Sequence, residues 1–280
     1  MQRVARPVRP QVVLEVLATE TLSEHMIRLT FGGPGFVNYQ DKLVSDRYVK
    51  ILFAKPELGL TPPYDLDALR EELAPEDFPV RRTYTLHHVD LDAGTLQIDF
   101  VTHGDEGLAG PWAQNAKIGD QICFSSPGGL YAPSAEFDRH LLIGDETALP
   151  AISAAVLDMT GDMTGDIYLE VGGPGDEVEL AVPTGVNVHW LHRGGPFTPE
   201  NTRLESVVRA ANWPEGTVQI FAHGERETMK SLRAYLHGER KVDRKAMSLS
   251  AYWAYGRAED EFQAEKRSPI GQIFPESANA

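Results

Sequence analysis

Apolar residues in the first half of the chain gather into short runs separated by turn residues. Residues 12–17 and 26–31 are apolar-rich, the second run alternating, and residues 48–53, 82–89, 95–101 and 121–124 follow. This rhythm predicts an antiparallel β-barrel. One stretch departs from it: Leu66, Leu69 and Leu73 fall at helical spacing, so a helical insertion is expected over residues 65–73. After about residue 138 the pattern changes to strand–helix alternation. Strands are expected at 141–143, 167–171, 186–191, 218–221 and 247–255. Helices are expected near 148–157, along Leu204, Val207, Val208 and Ala211, and along Met229, Leu232 and Leu236. Such alternation implies a mostly parallel sheet with helices on its faces. The expected organisation is a barrel domain over 1–137 and an α/β domain over 138–280. The pattern after Gly256 chooses no element, and the stretch from Ser268 onward reads as loosely ordered.

The most informative stretch is Leu141-Leu142-Ile143-Gly144-Asp145-Glu146-Thr147-Ala148-Leu149-Pro150-Ala151. It reads as a buried strand, a tight turn and a helix start, the place where open α/β sheets bind nucleotides. It is not the G-x-G-x-x-G fingerprint, and its two carboxylates would repel a pyrophosphate. The turn is therefore expected to face the reacting end of a nucleotide, with Thr147 bonding a ribose or an amide. Helix capping by Asp145 or Thr147 is the parallel structural expectation. Arg193, in His192-Arg193-Gly194-Gly195, is a candidate for a nucleotide phosphate, against the commoner solvated Arg; with Arg226 it is one of two candidates for a 2′-phosphate. Phe221-Ala222-His223-Gly224-Glu225 is a second strand-to-helix turn at the same sheet edge, either touching a nicotinamide or simply capping a helix. His189 and His192 read as structural, without a carboxylate partner nearby.

Composition narrows the field. The 280 residues are 42% hydrophobic and 24% charged, ordinary for a globular protein, with no apolar run long enough to span a membrane. The first residues lack a signal peptide's apolar core, so a cytoplasmic protein is expected. A net charge of −15 argues against nucleic acid as a partner. Cys123 is the only cysteine, which removes internal disulfides, iron–sulfur clusters and multi-cysteine zinc sites; it reads as a buried strand residue. The signatures of P-loop phosphotransfer, zinc proteolysis and α/β-hydrolase chemistry are missing.

Two segments of the barrel half carry candidate chemistry. In Arg82-Thr83-Tyr84-Thr85, alternation places Arg82 and Tyr84 on one face. Arg suits a pyrophosphate, Tyr a ring, and Thr the polar edge of a flavin, against the simpler reading of a surface strand with a half-buried Tyr. In His103-Gly104-Asp105-Glu106-Gly107-Leu108-Ala109-Gly110-Pro111-Trp112-Ala113, glycines permit close approach and a short helix from Ala109 offers N–H groups to phosphate. The alternative is a Gly-rich turn with Trp112 as a core plug. A barrel followed by an α/β domain is also the plan of flavin reductases of the ferredoxin-reductase type, an analogy of fold only.

In order and spacing, these pieces resemble the siderophore-interacting protein family of flavin-dependent ferric-siderophore reductases. The resemblance covers nearly the whole chain. It rests on Asp46-Arg47-Tyr48-Val49-Lys50-Ile51, Arg82-x-Tyr84-Thr85, Phe100-Val101-x-His103-Gly104 and Gly107-x-Ala109-x-x-Trp112-Ala113. It continues in Asp145-Glu146-Thr147-Ala148-Leu149-Pro150-Ala151, Trp190-Leu191-His192-Arg193-Gly194, Gly224-Glu225 and Tyr252-Trp253-x-x-Gly256. The resemblance implies FAD on the barrel, held by Arg82, Tyr84 and Thr85 and completed by Val101, His103, Ala109, Trp112 and Ala113. It implies NADH or NADPH on the α/β half near Asp145, Thr147, Gly224 and Glu225, and a ferric siderophore attracted by Lys50 and Lys55. A hydride would pass to the flavin and single electrons to chelated Fe(III), with no catalytic side chain and no protein metal ligand required. A monomer without a membrane span is expected.

The chain departs from the family at basic positions. Ala254 follows the Tyr-Trp pair where relatives often carry Arg. Gly128 stands in Pro127-Gly128-Gly129 where they often carry Arg, and Leu86-His87 replaces a pattern ending in Arg. Either Lys50 and Lys55, with Lys266 or Arg267, supply the remaining attraction, or the preferred chelate is less anionic; a weaker preference for highly charged catecholates is expected. Two alternatives stay open: a flavin oxidoreductase with another acceptor, and a flavoprotein that binds iron chelates without turnover.

Overall fold

Leu96, Ile98 and Phe100 have no solvent exposure, whereas Gln97 between them lies on the opposite face. This period-two alternation is what the sequence pattern requires of a barrel strand. The computed structural model describes residues 10–102 and 107–274. The chain divides into two compact units, residues 1–129 and 130–280.

The first unit is a closed barrel of β1 (Gln11–Ser23), β2 (Met26–Gly32), β3 (Tyr48–Phe53), β4 (Val80–Asp90), β5 (Thr95–Val101) and β6 (Gln121–Ser125). Around the barrel they run β1-β2-β5-β4-β3-β6, with antiparallel pairing throughout. Its interior is filled by Val12, Leu14, Leu29, Phe31, Ile51, Leu86, Leu96, Ile98, Phe100 and Phe124. The expected insertion is α1 (Leu66–Glu72), N-capped by Asp65, whose carboxylate accepts from the N–H groups of Asp67 and Ala68. Gln11 anchors it with a two-way amide pair to the Tyr64 backbone, at 2.7 and 2.8 Å. Cys123, 1% exposed, donates to the same Gln11 oxygen at 2.9 Å, and burial pushes its thiol up to about 11. It is the inert strand cysteine that the sequence indicates.

One polar cluster is buried on the outer wall of the barrel. Asp99 takes both guanidinium bonds of Arg28, at 2.7 and 2.8 Å, across the β2–β5 ladder. His87 reaches the wall through a bulge between Leu86 and His88 and lies 3.7 Å from Asp99. Burial, aided by Arg28 and His88, lowers the His87 pKa to about 4 although Asp99 pulls the other way. Burial prevails because Arg28 already neutralises that carboxylate.

The second unit is a five-stranded parallel sheet in the order β11-β10-β7-β8-β9. Its strands are β7 (Arg139–Asp145), β8 (Thr164–Val171), β9 (Gly185–His192), β10 (Val218–Glu225) and β11 (Met247–Trp253). Helix α2 (Ala109–Asn115) belongs to the barrel unit; α3 (Leu149–Leu157), α4 (Leu204–Ala210), α5 (Arg226–Arg233) and α6 (Glu259–Glu265) belong here. Leu236, expected to continue the helix of Met229 and Leu232, is instead in a π-helical turn, Ala234–Glu239, that keeps it fully buried. Residues 257–274 are structured: Phe262 of α6 and Ile273 enter the core formed by β10, β11 and α5. No helix among the described residues is long and apolar enough to cross a membrane.

Neutral buried His87 carries a pH signature. The unfolded chain takes up its proton near 6.5 and the folded chain only near 4, so stability is lost as pH falls through that interval. The loss is on the order of 2–4 kcal/mol. His223, lowered to about 3 by burial first and Lys266 second, adds a loss of the same sign. Thermal unfolding between pH 7 and 4 is therefore expected to fall more steeply in wild type than in H87Q; identical slopes would contradict the assignment.

Candidate functional site

Pairing leaves one edge of the barrel open. β4 pairs with β3 along residues 80–85, but its ladder with β5 begins only at Leu86 opposite Ile98. Among the described residues, no strand covers the other edge of residues 80–84. Tyr48 spends both its N–H and its C=O on Gly128, so Tyr48 and Thr85 are a non-hydrogen-bonded pair. By the alternation of an antiparallel ladder the next such pair is Lys50 and Thr83, and the Thr83 peptide groups face the open edge. Arg82 and Tyr84 on this stretch are half-buried, and Thr85 is buried. The Tyr84 ring packs on Phe100 with centroids 4.5 Å apart. An aromatic ring, a guanidinium, a hydroxyl and an uncovered strand edge form a donor set suited to a planar, polar-edged ring carrying phosphates.

The remaining barrel candidates are placed as follows. Trp112 of α2 is half-buried and packs against Phe31, Phe53 and Phe100, with centroids 5.6 to 6.4 Å away. Ala109 and Ala113, on the same helix, are buried against that core. Val101 closes β5, half-buried. His103 lies outside the described residues. Lys50 is exposed on β3, whereas Lys55 is spent on an ion pair with Asp77 at 2.7 Å. The substituted basic positions have steric explanations. A Cβ at Gly128 would lie 2.4 Å from the Tyr48 ring, so the phenol occupies the space of a side chain there. Ala254 is 2% exposed within the core that also holds Phe262 and Ile273.

In the α/β unit the strand order reverses between β7 and β10, because β8 and β9 extend to one side of β7 and β10 and β11 to the other. Open sheets take ligands beyond the strand C-termini at such a point. Asp145 sits there at the end of β7. One of its oxygens accepts from the Thr147 N–H at 2.9 Å and hydroxyl at 2.5 Å; the other accepts from the Glu225 N–H and the Trp253 indole, both at 2.8 Å. Burial and the Glu146 charge raise its pKa to about 6, with the Thr147 and Trp253 bonds pulling back. Gly224 has φ +151°, and a Cβ on it would lie 2.5 Å from Asp145 Oδ2. The carboxylate therefore requires glycine at this place. Glu225 caps α5, accepting from the N–H groups of Glu227 and Thr228.

Three expectations are corrected. Neither Asp145 nor Thr147 caps α3, which has no side-chain cap; Asp145 organises the turn instead. Arg193 is neither solvated nor free for phosphate: its side chain, 2% exposed, holds Glu146 through both terminal nitrogens at 2.6 and 2.8 Å. Burial alone would lower its pKa, but the Glu146 bonds and charge override that and raise it. His189 and His192 each have a carboxylate partner, Asp166 at 2.9 Å and Glu177 at 2.8 Å. Arg226 is likewise engaged, by Glu227 and Glu265. The residue most clearly missed is Trp253. It stood inside a recognised motif, but nothing local to it indicated a bond to a residue 108 positions away.

Comparisons with known proteins agree with both halves. The family model described as "Siderophore-interacting FAD-binding domain" matches residues 15–131, and that described as "Siderophore-interacting protein" matches residues 137–256. An uncharacterised protein of Mycobacterium tuberculosis is 40% identical, over 92% of this chain and 95% of its own. The ferric vibriobactin reductase ViuB of Vibrio cholerae is 26% identical, over 94% of this chain and 96% of its own. The crystal structure of the siderophore-interacting protein SipS from Aeromonas hydrophila superposes with a TM-score of 0.78 at 29% identity, covering 93% of this chain and 98% of SipS. A ferredoxin reductase of carbazole 1,9a-dioxygenase shares the fold, with a TM-score of 0.64 at 17% identity over 89% of this chain and 71% of its own.

The indole bond to Asp145 gives a direct test. W253F keeps an aromatic ring beside Phe197 but removes one donor from a buried carboxylate, at an expected cost of about 1–3 kcal/mol. Urea unfolding measures this; an unchanged midpoint would show that the indole is not holding Asp145.

Proposed function

Because the chain belongs to the siderophore-interacting protein family, we propose that it is an FAD-dependent NAD(P)H:ferric-siderophore oxidoreductase of the cytoplasm. The observation that carries the reading is the uncovered edge of β4, lined by Arg82, Tyr84 and Thr85, in a barrel matched along its length by an FAD-binding family model. FAD, when bound, supplies two-electron acceptance from a nicotinamide and one-electron delivery to iron.

The chain's own residues bind and orient. Arg82 offers charge-assisted bonds to a pyrophosphate, Tyr84 a ring face, and the Thr83–Thr85 edge polar groups for a heterocycle. Asp145 is fully engaged by its own donors, so it shapes the strand-end crevice and moves no proton. Thr147 and the turn at Gly224 border the nicotinamide donor's place at the β7/β10 reversal. Fe(III) arrives as substrate inside its chelate, and exposed Lys50 attracts an anionic chelate. The reductase named for ViuB supports the choice of substrate class.

The purified protein is expected to be yellow. Mixed anaerobically with a reduced nicotinamide and a ferric siderophore, it should bleach and then release Fe(II) to a ferrous-specific chelator. Bleaching without Fe(II) would transfer the reading to another electron acceptor; FAD retention without bleaching would leave a binding protein. R82A is expected to weaken FAD binding roughly tenfold or more, the worth of one charge-assisted contact, as read by flavin fluorescence during titration.

A further inference from the structure

At the C-terminal ends of β7, β8 and β9, acids outnumber bases. Asp145, Glu146 and Glu170 surround Arg193, Glu177 pairs with His192, and Arg203 donates to the His192 carbonyl. Glu170 is 1% exposed and accepts from the Thr202 hydroxyl and the Arg203 N–H, at 2.7 and 2.6 Å. Arg203 is exposed and donates to the His192 carbonyl at 3.2 Å. Arg193 is the buried cation of the group. Glu146 takes both its terminal nitrogens, Glu170 lies 3.6 Å away, and Phe197 sits under the guanidinium with its centroid at 5.7 Å. Its Nε has no hydrogen-bond partner among the described residues.

The physics of this arrangement concerns the nucleotide's 2′ position. In sheets of this kind, a carboxylate at the end of the strand after the first binding turn favours a ribose 2′-hydroxyl, and a nearby arginine accepts a 2′-phosphate. Here the carboxylate at the end of β8, Glu170, is buried and taken by Thr202 and Arg203, so the choice falls to the arginine, which is already neutralised from within the chain. A 2′-phosphate would bring further negative charge to a cluster that is negative already, and would have to displace a bidentate carboxylate to reach a guanidinium.

We propose that Glu146 is a specificity-determining residue: by occupying Arg193 it makes this unit select NADH and reject the 2′-phosphorylated donor. This rests on the reading of the α/β unit as the nicotinamide-binding part. Glu146 acts as an internal competitor for Arg193, the buried cation beyond β9. Neutralising it frees Arg193 for phosphate while leaving Asp145 and its donors in place.

The test uses the full chain loaded with FAD. Anaerobic flavin bleaching is followed against NADH and NADPH concentration, and binding of 5′-ADP and 2′,5′-ADP is measured by calorimetry. Wild type is expected to favour NADH at least tenfold in bleaching rate over concentration, and to bind 5′-ADP more tightly than 2′,5′-ADP. E146Q is expected to gain at least fivefold toward NADPH and 2′,5′-ADP, with NADH changed less than threefold and with the gain shrinking as salt rises. The double variant E146Q/R193Q should lose the gain, and the donor preference of wild type keeps the test decisive if the single variant is poorly folded. Equal use of both donors by wild type overturns the proposal, as does an equal response of E146Q to both donors. Bleaching by neither donor, with neither adenine nucleotide bound, overturns the nicotinamide reading and this proposal together, and is distinct from those results.

Discussion

The burial of one carboxylate organises the α/β unit. Asp145 is 2% exposed, and its oxygens collect donors from its own turn, from the end of β10 and from the end of β11. A charge in that position is tolerable only because every contact is a donor. Much else follows from it. Gly224 must lack a side chain, the β7 turn is pulled against β10, and Trp253 lies across both. Gly144, one residue earlier, obeys the same crowding: a Cβ there would lie 2.6 Å from Ala148 Cβ, so α3 packs directly on the strand. The turn at the strand reversal is thus held at once from its own backbone, from β10 and from β11.

Charge is handled in the same internal way throughout this unit. Arg193 and Arg226, the two arginines that sequence reading offers to a phosphate, are both buried and both committed to the chain's own carboxylates. With a net charge of −15, acids are abundant enough to claim the cations that folding brings inward. The strand-end edge is consequently negative. A strongly acidic chain can still bind a nucleotide, provided that phosphate contacts come from backbone and polar groups more than from guanidinium pairs.

The barrel solves a different problem. Half-buried Trp112 packs against three phenylalanines at the margin of its core. One stretch of β4 is left unpaired, because beyond Ile98 the residues of β5 pair with β2 and not with β4. An uncovered strand edge is normally a liability. Here it coincides with Arg82, Tyr84 and Thr85, groups whose chemistry suits a planar ring carrying phosphates. The basic residues that the family pattern leads one to expect are displaced for local reasons: the Tyr48 phenol fills the space beside Gly128, Ala254 is inside the core, and His87 is in a buried cluster with Arg28 and Asp99.

The sequence by itself determined the architecture and the motif positions. Alternation at Leu96, Ile98 and Phe100, and the change to strand–helix rhythm near residue 138, are local periodicities that burial enforces. The insertion around Leu69, the turn at Gly144 and the segment at Arg82 were legible for the same reason. What only the tertiary structure decided is which partner each polar group takes. Asp145 could equally have capped a helix, Arg193 could have met solvent, and His189 and His192 gave no sign of Asp166 and Glu177. These pairings join residues far apart in the chain, as Asp145 and Trp253 do across 108 positions. Hydrophobic period records which side of an element is buried, but not what lies opposite it; hydrogen bonds and ion pairs depend on that second fact, and folding alone supplies it.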